Sequence, residues 1–278
     1  MSGTATDVAG NSASTSVVIK LDTTPLTITY TLSQAPNGAG WNNQAVTVTF
    51  SCSDALSGIA SCTSPVTVGQ GANQAVVGTA VDVAGNSTSI TVYVSVDTTK
   101  PAIAYTLSSQ PDSYGWYNGP VTVTFQCSDA LSGIATCSGP TTLSGNGANQ
   151  TVTGTATDVA GNTATVTTVG INIDTTAPVV TSVTLSGTII LAGTETITAH
   201  YTDNLSGVVA ADYYVDSTTA TAHAMTLSGT DLDSGTATGS DTIGLLGLSL
   251  GTHTIYVRVE DAAGNWSTYV AGTFTYIG

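Results

Sequence analysis

The residues of this chain with chemistry to offer are aspartates and cysteines, and both recur in register. CSDALSGIASC at 52–62 returns as CSDALSGIATC at 127–137. DVAGN occurs at 7–11, 82–86 and 158–162, and DAAGN at 261–265; DTT follows at 22, 97 and 174 as DTTP, DTTKP and DTTAP. With Asp203 of TDNLSG at 202–207, which stands in the SDALSG register, ten of the 16 Asp sit on recurring positions, whereas Glu appears only at 195 and 260. Scattered solubilising charge would use both acids. Grouped carboxylates suit a hard divalent cation satisfied by about 6 to 8 oxygens. Calcium fits better than zinc, because the repeated set contains no His and no suitably placed free thiol. Taken singly, each Asp has a plainer reading: before a Gly-Asn turn it bonds the local backbone and caps the turn. Asn86, Asn162 and Asn265 either supply an amide oxygen or only serve that turn.

Something must position these acids, and the intervening pattern says what. In VTVTFSC, Val46, Val48, Phe50 and Cys52 fall on one face and Thr47, Thr49 and Ser51 on the other; VTVTFQC at 121–127 repeats the alternation. No window carries a helical stripe. The expectation is an all-β chain of tandem immunoglobulin-like Greek-key sandwiches in an extended array. The pentapeptides step by 75, 76 and 103 residues, which are domain-sized periods. The domains are therefore 25–97, 98–174 and 175–278, and 1–24 reads as the orphan C-terminal hairpin of a truncated or trans-completed domain, since two strands cannot bury a face alone.

The combination of GTATDVAGN, DTTAP and SDALSG resembles the tandem bacterial immunoglobulin-like (Big-type) repeats of large cell-surface proteins and adhesins, over nearly the whole chain. The resemblance implies an extended stalk whose domain junctions bind Ca²⁺ through Asp residues. Glycine-rich nonapeptide repeats and an anchor are missing, and the cysteine pair is one that many such repeats lack.

In an immunoglobulin-like sandwich the loops after the second strand and before the last lie where the chain enters. The Asp closing one domain should meet there the Asp of SDALSG and the Asp of the pentapeptide. This gives three candidate metal sites: Asp22, Asp54 and Asp82; Asp97, Asp129 and Asp158; Asp174, Asp203 and Asp261. Three gathered carboxylates repel by roughly 1 to 4 kcal/mol per pair, so the arrangement asks for a cation.

The cysteines form two pairs ten residues apart, Cys52 with Cys62 and Cys127 with Cys137. That is the simplest of three connectivities; reduced cysteines acting as small core residues are the alternative. Bridges would point to an oxidising, extracellular or cell-surface compartment. In the third domain Tyr201 takes the register of Cys52, so an aromatic stands where the bridge would be.

Charge narrows the partners. With 18 acidic residues against 3 basic ones and a net charge of −15, the chain is not expected to bind nucleic acid. Mean hydropathy is +0.25, but the most apolar stretch, 179–194, is broken by Ser, Thr and Gly, so no membrane insertion is expected. No basic and apolar leader follows Met1, and no signal peptide is read there. His200, His223 and His253 lack a nucleophile context, and no catalytic motif appears; the chain reads as no enzyme. The function expected is a stalk or spacer rigidified by calcium, its partners being neighbouring domains of the same chain and an unknown surface ligand. Two other readings stand beside it. One is a filament of identical subunits completed through the N-terminal hairpin. The other is carbohydrate binding on exposed Trp41, Trp116 and Tyr117.

Overall fold

A computed structural model describes residues 1–229 and 235–278. Among these the chain is all-β, a tandem of immunoglobulin-like β-sandwich domains. It divides into two compact units. One holds Met1–Ala102, Cys127–Cys137 and Thr155–Ala164; the other holds Ile103–Gln126, Ser138–Gly154 and Thr165–Gly278.

The first unit contains a complete sandwich. Its three-stranded sheet runs in the order Thr27–Leu32, Val46–Ser53, Val66–Val68, and its four-stranded sheet in the order Trp41–Asn42, Ser87–Val96, Gly71–Asp82, Ile59–Cys62. The two-residue alternation decides which side chains meet. Val46, Val48 and Phe50 from one sheet and Val76, Val92, Val94 and Val96 from the other form the core. The ring of Phe50 lies where a β-carbon on Gly78 would stand, so the strand keeps a glycine there. Outward Thr47 and Thr67 pair hydroxyl to hydroxyl, the β-branched face of a solvated sheet.

Two segments beyond residue 102 pack in this same unit. Ile134–Cys137 pairs antiparallel with the end of Thr153–Asp158, placing Ile134 opposite Asp158, and hydrogen bonds from Ser132 and Asn162 reach Asp97. In the same unit, Ser2–Thr6 and Ser12–Ser16 form a hairpin followed by exposed Val17, Ile19 and Leu21.

A second sandwich repeats the design. Ala102–Leu107, Val121–Ser128 and Thr141–Leu143 form one sheet, and Trp116–Tyr117, Ile171–Ile173 and Gly147–Gln150 another, with Tyr117, Val121, Val123, Phe125, Ile171 and Ile173 buried between them. The last sandwich is larger. Val179–Leu185, Thr194–Thr202, Thr236–Gly244 and Thr226–Ser228 form a four-stranded sheet. A five-stranded sheet runs Ile189–Ile190, Val270–Tyr276, Gly251–Asp261, Val208–Val215, His223–Ala224. Its core is built on Ile197, Tyr201, Ile255, Val257, Val259 and Phe274.

Candidate metal centres

Three loops build each acidic cluster, and every one is folded by its own Asp. In the pentapeptide turn the carboxylate of Asp82 accepts from the backbone and the side chain of Asn86, at 2.8 and 2.7 Å. Asp158 with Asn162, and Asp261 with Asn265, repeat these bonds within 0.1 Å. The glycine between them takes a φ of 95°, 97° and 84° at Gly85, Gly161 and Gly264, the left-handed region that favours Gly. The same turn forms at Asp7 and Asn11 in the hairpin. The Asn side chain does more than close the turn. Its Nδ2 also donates to the backbone carbonyl of Asp22, Asp97 or Asp174, at 3.2, 2.8 and 2.9 Å. Of the two roles left open for these asparagines, the amide thus serves the turn and grips the incoming chain.

The SDALSG loop is capped from within. Asp54 Oδ2 accepts from the amides of Leu56 and Gly58, both at 2.9 Å. Asp129 does the same with Leu131 and Gly133, and Asp203 with Leu205 and Gly207. The Gly58 carbonyl then accepts from Val83, locking this loop to the pentapeptide turn; Gly133 with Val159 and Gly207 with Ala262 match it. The linker Asp completes the set. Asp22, Asp97 and Asp174 each accept from the amide two residues on and, through the other oxygen, from the amide of Ser57, Ser132 or Ser206.

The result is three clusters, Asp22/Asp54/Asp82, Asp97/Asp129/Asp158 and Asp174/Asp203/Asp261. In each, one carboxylate oxygen per residue lies within 4.8 Å of the others. No cluster is divided between the compact units: the first and second lie in the first unit, the third in the second. Burial deepens along the chain, from a half-exposed first cluster to a third in which every Asp is buried. The sharpest feature is what these carboxylates lack. Asp54 Oδ1 and Asp203 Oδ1 are buried with no hydrogen-bond donor, and Asp203 as a whole is 8% exposed. A buried anionic oxygen without a donor is costly. Here it belongs to a residue grouped with two other carboxylates, a donor set that could hold a cation.

The electrostatics follow the burial. Ser57 and the Thr24 amide hold the half-buried Asp22 down, to about 2. Asp97 is buried, which raises it, yet the donors Ser132, Thr99 and Gln70 leave it below the ordinary carboxylate value. Asp261 goes the other way: burial first, then the charges of Asp174 and Asp203, outweigh its bonds from Asn265 and push it up to about 6.

Disulfides join Cys52 to Cys62 and Cys127 to Cys137, each across Cα atoms 6.0 Å apart. The first ties one sheet to the other around the loop that carries Asp54. In the last sandwich the corresponding positions are Tyr201 and Ala211, both buried. Tyr201 donates its hydroxyl to Met225 Sδ, and the Met225 amide donates to the Ala211 carbonyl, so packing stands in for the bridge.

Of the three aromatic candidates for a sugar platform, one is corrected by the fold. Tyr117 is 8% exposed and lies in the core, because the two-residue strand Trp116–Tyr117 pairs with Asn172 and Ile173 and the alternation turns Tyr117 inward. Trp41 and Trp116 remain half-buried.

Two features were not read from the sequence. His253 is buried, with Nδ1 2.7 Å from Asp216 and Nε2 2.8 Å from the Ser249 carbonyl. Gln70 and Asn146 grip the linkers that carry Asp97 and Asp174. A signal for the second was present: GQGANQ at 69–74 returns as GNGANQ at 145–150.

No family model and no curated protein matches the chain. Among solved structures it is similar to one titled "D00-D0 domain of Intimin", at 14% identity and a TM-score of 0.28, the alignment covering 64% of this chain and 100% of that one.

Proposed function

We propose that the protein is a stalk or spacer of an extracellular surface or adhesin protein, in which calcium at the three aspartate clusters rigidifies the passage from one sandwich to the next. One observation carries this reading: buried carboxylate oxygens of Asp54 and Asp203 have no donor yet sit among other carboxylates. Oxygen-only ligands, several carboxylates and nearby backbone carbonyls suit Ca²⁺. Each cluster draws one Asp from a linker and two from the following sandwich, so an ion there ties linker to domain. The two disulfides support an oxidising compartment. Calcium titration followed by calorimetry and hydrodynamic radius tests the reading. Binding of up to three ions with a higher melting temperature is expected; no uptake at millimolar calcium would overturn it.

A second reading, a filament of identical subunits, is favoured by the hairpin. Ala5, Val17, Ile19 and Leu21 hold the repeat positions of Ala80, Val92, Val94 and Val96, which are buried in the first sandwich, yet Val17, Ile19 and Leu21 are 60, 62 and 77% exposed. Concentration-dependent assembly abolished by Ile19→Asp would support it.

A further inference from the structure

The linkers bearing Asp97 and Asp174 are held by a device that belongs to neither the SDALSG loop nor the pentapeptide turn. The Gln70 Oε1 accepts from the amide and the hydroxyl of Thr98 at 2.7 and 2.8 Å, while its Nε2 donates to Asp97 Oδ1 and Thr99 Oγ1, both at 2.9 Å. Asn146 repeats the pattern on Thr175, Asp174 and Thr176 at 3.0, 2.7, 3.3 and 2.7 Å. One carboxamide thus engages the whole Asp-Thr-Thr linker, using the acceptor and donor ends in the same sense at both places.

The carboxamide is itself presented by a built loop. Gln74 folds back to donate to the carbonyls of Gly69 and Gly71, and Gln150 to those of Gly145 and Gly147. Asn73 and Asn149 take left-handed φ values of 49° and 54°, which Asn tolerates better than most residues. Their amides are bonded to Ser95 and to Asn172, on the strands that lead into each linker. The loop therefore belongs to the sandwich before the linker, whereas Asp129, Asp158, Asp203 and Asp261 come from the strands and loops after it. At the first cluster the Asp22 carboxylate accepts from the amides of Thr24 and Ser57, without the carboxamide bond that Asp97 and Asp174 receive among the described residues.

We propose that Gln70 and Asn146 are positioning residues for the second and third cation sites, coupling each site to the sandwich that precedes it. This rests on the calcium reading. The donated hydrogen bond holds one oxygen of the linker Asp, so the other is aimed at Ser132 or Ser206 and the carboxylate plane is fixed before an ion arrives. Preorganisation of that kind shows as affinity, because the ordering cost is met in advance.

The test uses the full chain with Asp54→Asn and Asp203→Asn, which leaves the second site alone to bind, and calcium as the probe. Gln70→Ala is expected to weaken calcium binding about tenfold, the low end of what a bond to a charged group contributes. Asn146→Ala in the same background should leave the second site unchanged. Gln70→Glu gives a readout that a merely structural role would not move. It keeps the acceptor for Thr98, loses the donor and sets a like charge beside Asp97. Its ion-free melting temperature should fall while its calcium-induced rise exceeds that of Gln70. If Gln70→Ala leaves affinity unchanged, and both Gln70 variants lower melting equally with and without calcium, the amide only closes its own loop and the proposal is overturned. If the parent protein takes up no calcium at all, the reading beneath it falls, a result distinct from binding that ignores Gln70.

Discussion

Replacing Asp203 by Asn separates its two jobs. Asn keeps an oxygen for the Leu205 and Gly207 amides that now bond Oδ2, so the turn survives, but it puts an amide in place of the donor-free Oδ1 and removes one charge from the group with Asp174 and Asp261. In the ion-free protein Asp261 is held at about 6 against 3.8, which at ~1.4 kcal/mol per pKa unit costs roughly 3 kcal/mol at neutral pH. Burial is the larger cause and the Asp203 charge a smaller one, so Asp203→Asn should stabilise the ion-free last sandwich by about 1 kcal/mol, or ~4 to 8 °C for a domain of this size. With calcium the order reverses. The parent gains about 2.7 kcal/mol at an ion concentration 100 times Kd, and the third site of the variant gains nothing. The pH dependence has a definite sign. A carboxyl whose folded pKa is raised stabilises while protonated, so the ion-free parent loses stability as pH rises from about 4 through 6. The calcium-loaded protein behaves oppositely, because protons compete with the ion, and the calcium increment should grow between pH 5 and 7.5. Hydrogen exchange of peptides from Gly251–Asp261, with and without chelator, follows this sandwich alone. A variant that exchanges faster than the parent in chelator, or a parent indifferent to calcium, would refute the reasoning.

Two further outcomes are expected. Reducing the disulfides with a dithiol should cost the first and second sandwiches about 2 to 3 kcal/mol each on the chain-entropy estimate. It should leave exchange in the last sandwich unchanged, since Tyr201 and Ala211 pack there instead; equal loss in all three would contradict the local role. His253 is raised above 6.5, first by the Ser249 carbonyl and then by Asp216. Its bonds therefore contribute fully below pH 6.5 and are lost as pH rises through the raised value. After discounting for the half-exposed Asp216 side chain, the effect is about 1 kcal/mol. Urea unfolding between pH 5.5 and 8.5 should show that slope, and His253→Gln should flatten it.

Much of this was legible in the sequence because a period of two and a repeated loop are local signals. Val46, Val48 and Phe50 announced a buried face, and the recurrence of Asp54, Asp129 and Asp203 after that strand announced which end of the sandwich they share. What stayed hidden depends on long-range pairing. Tyr117 follows Trp116 in a segment rich in Gly and Asn, and only the parallel pairing with Asn172 and Ile173 decides that the second ring faces the core. The grip of Gln70 on Thr98 spans 28 residues, and an amide in a glycine-rich turn looks like any other loop residue until its partner is placed. His253 alternates inward with Ile255 and Val257, but its partner Asp216 lies 37 residues away.

The competition between the plain and the chemical reading of these aspartates dissolves once their oxygens are considered separately. A carboxylate has two, and in the SDALSG loop one of them caps the turn through two backbone amides. At Asp54 and Asp203 the other has no donor. Capping fixes the side-chain rotamer, so it also sets the direction of the second oxygen, and turn formation becomes the means of building the cluster. That accounts for Asp rather than Glu at every repeated position: a longer side chain would reach past the amides two and four residues on, and would lose the cap and the aim together. It also explains why Asp7, in an equally well-formed pentapeptide turn, makes no cluster among the described residues. The turn alone brings one carboxylate, and the linker and the SDALSG loop bring the other two.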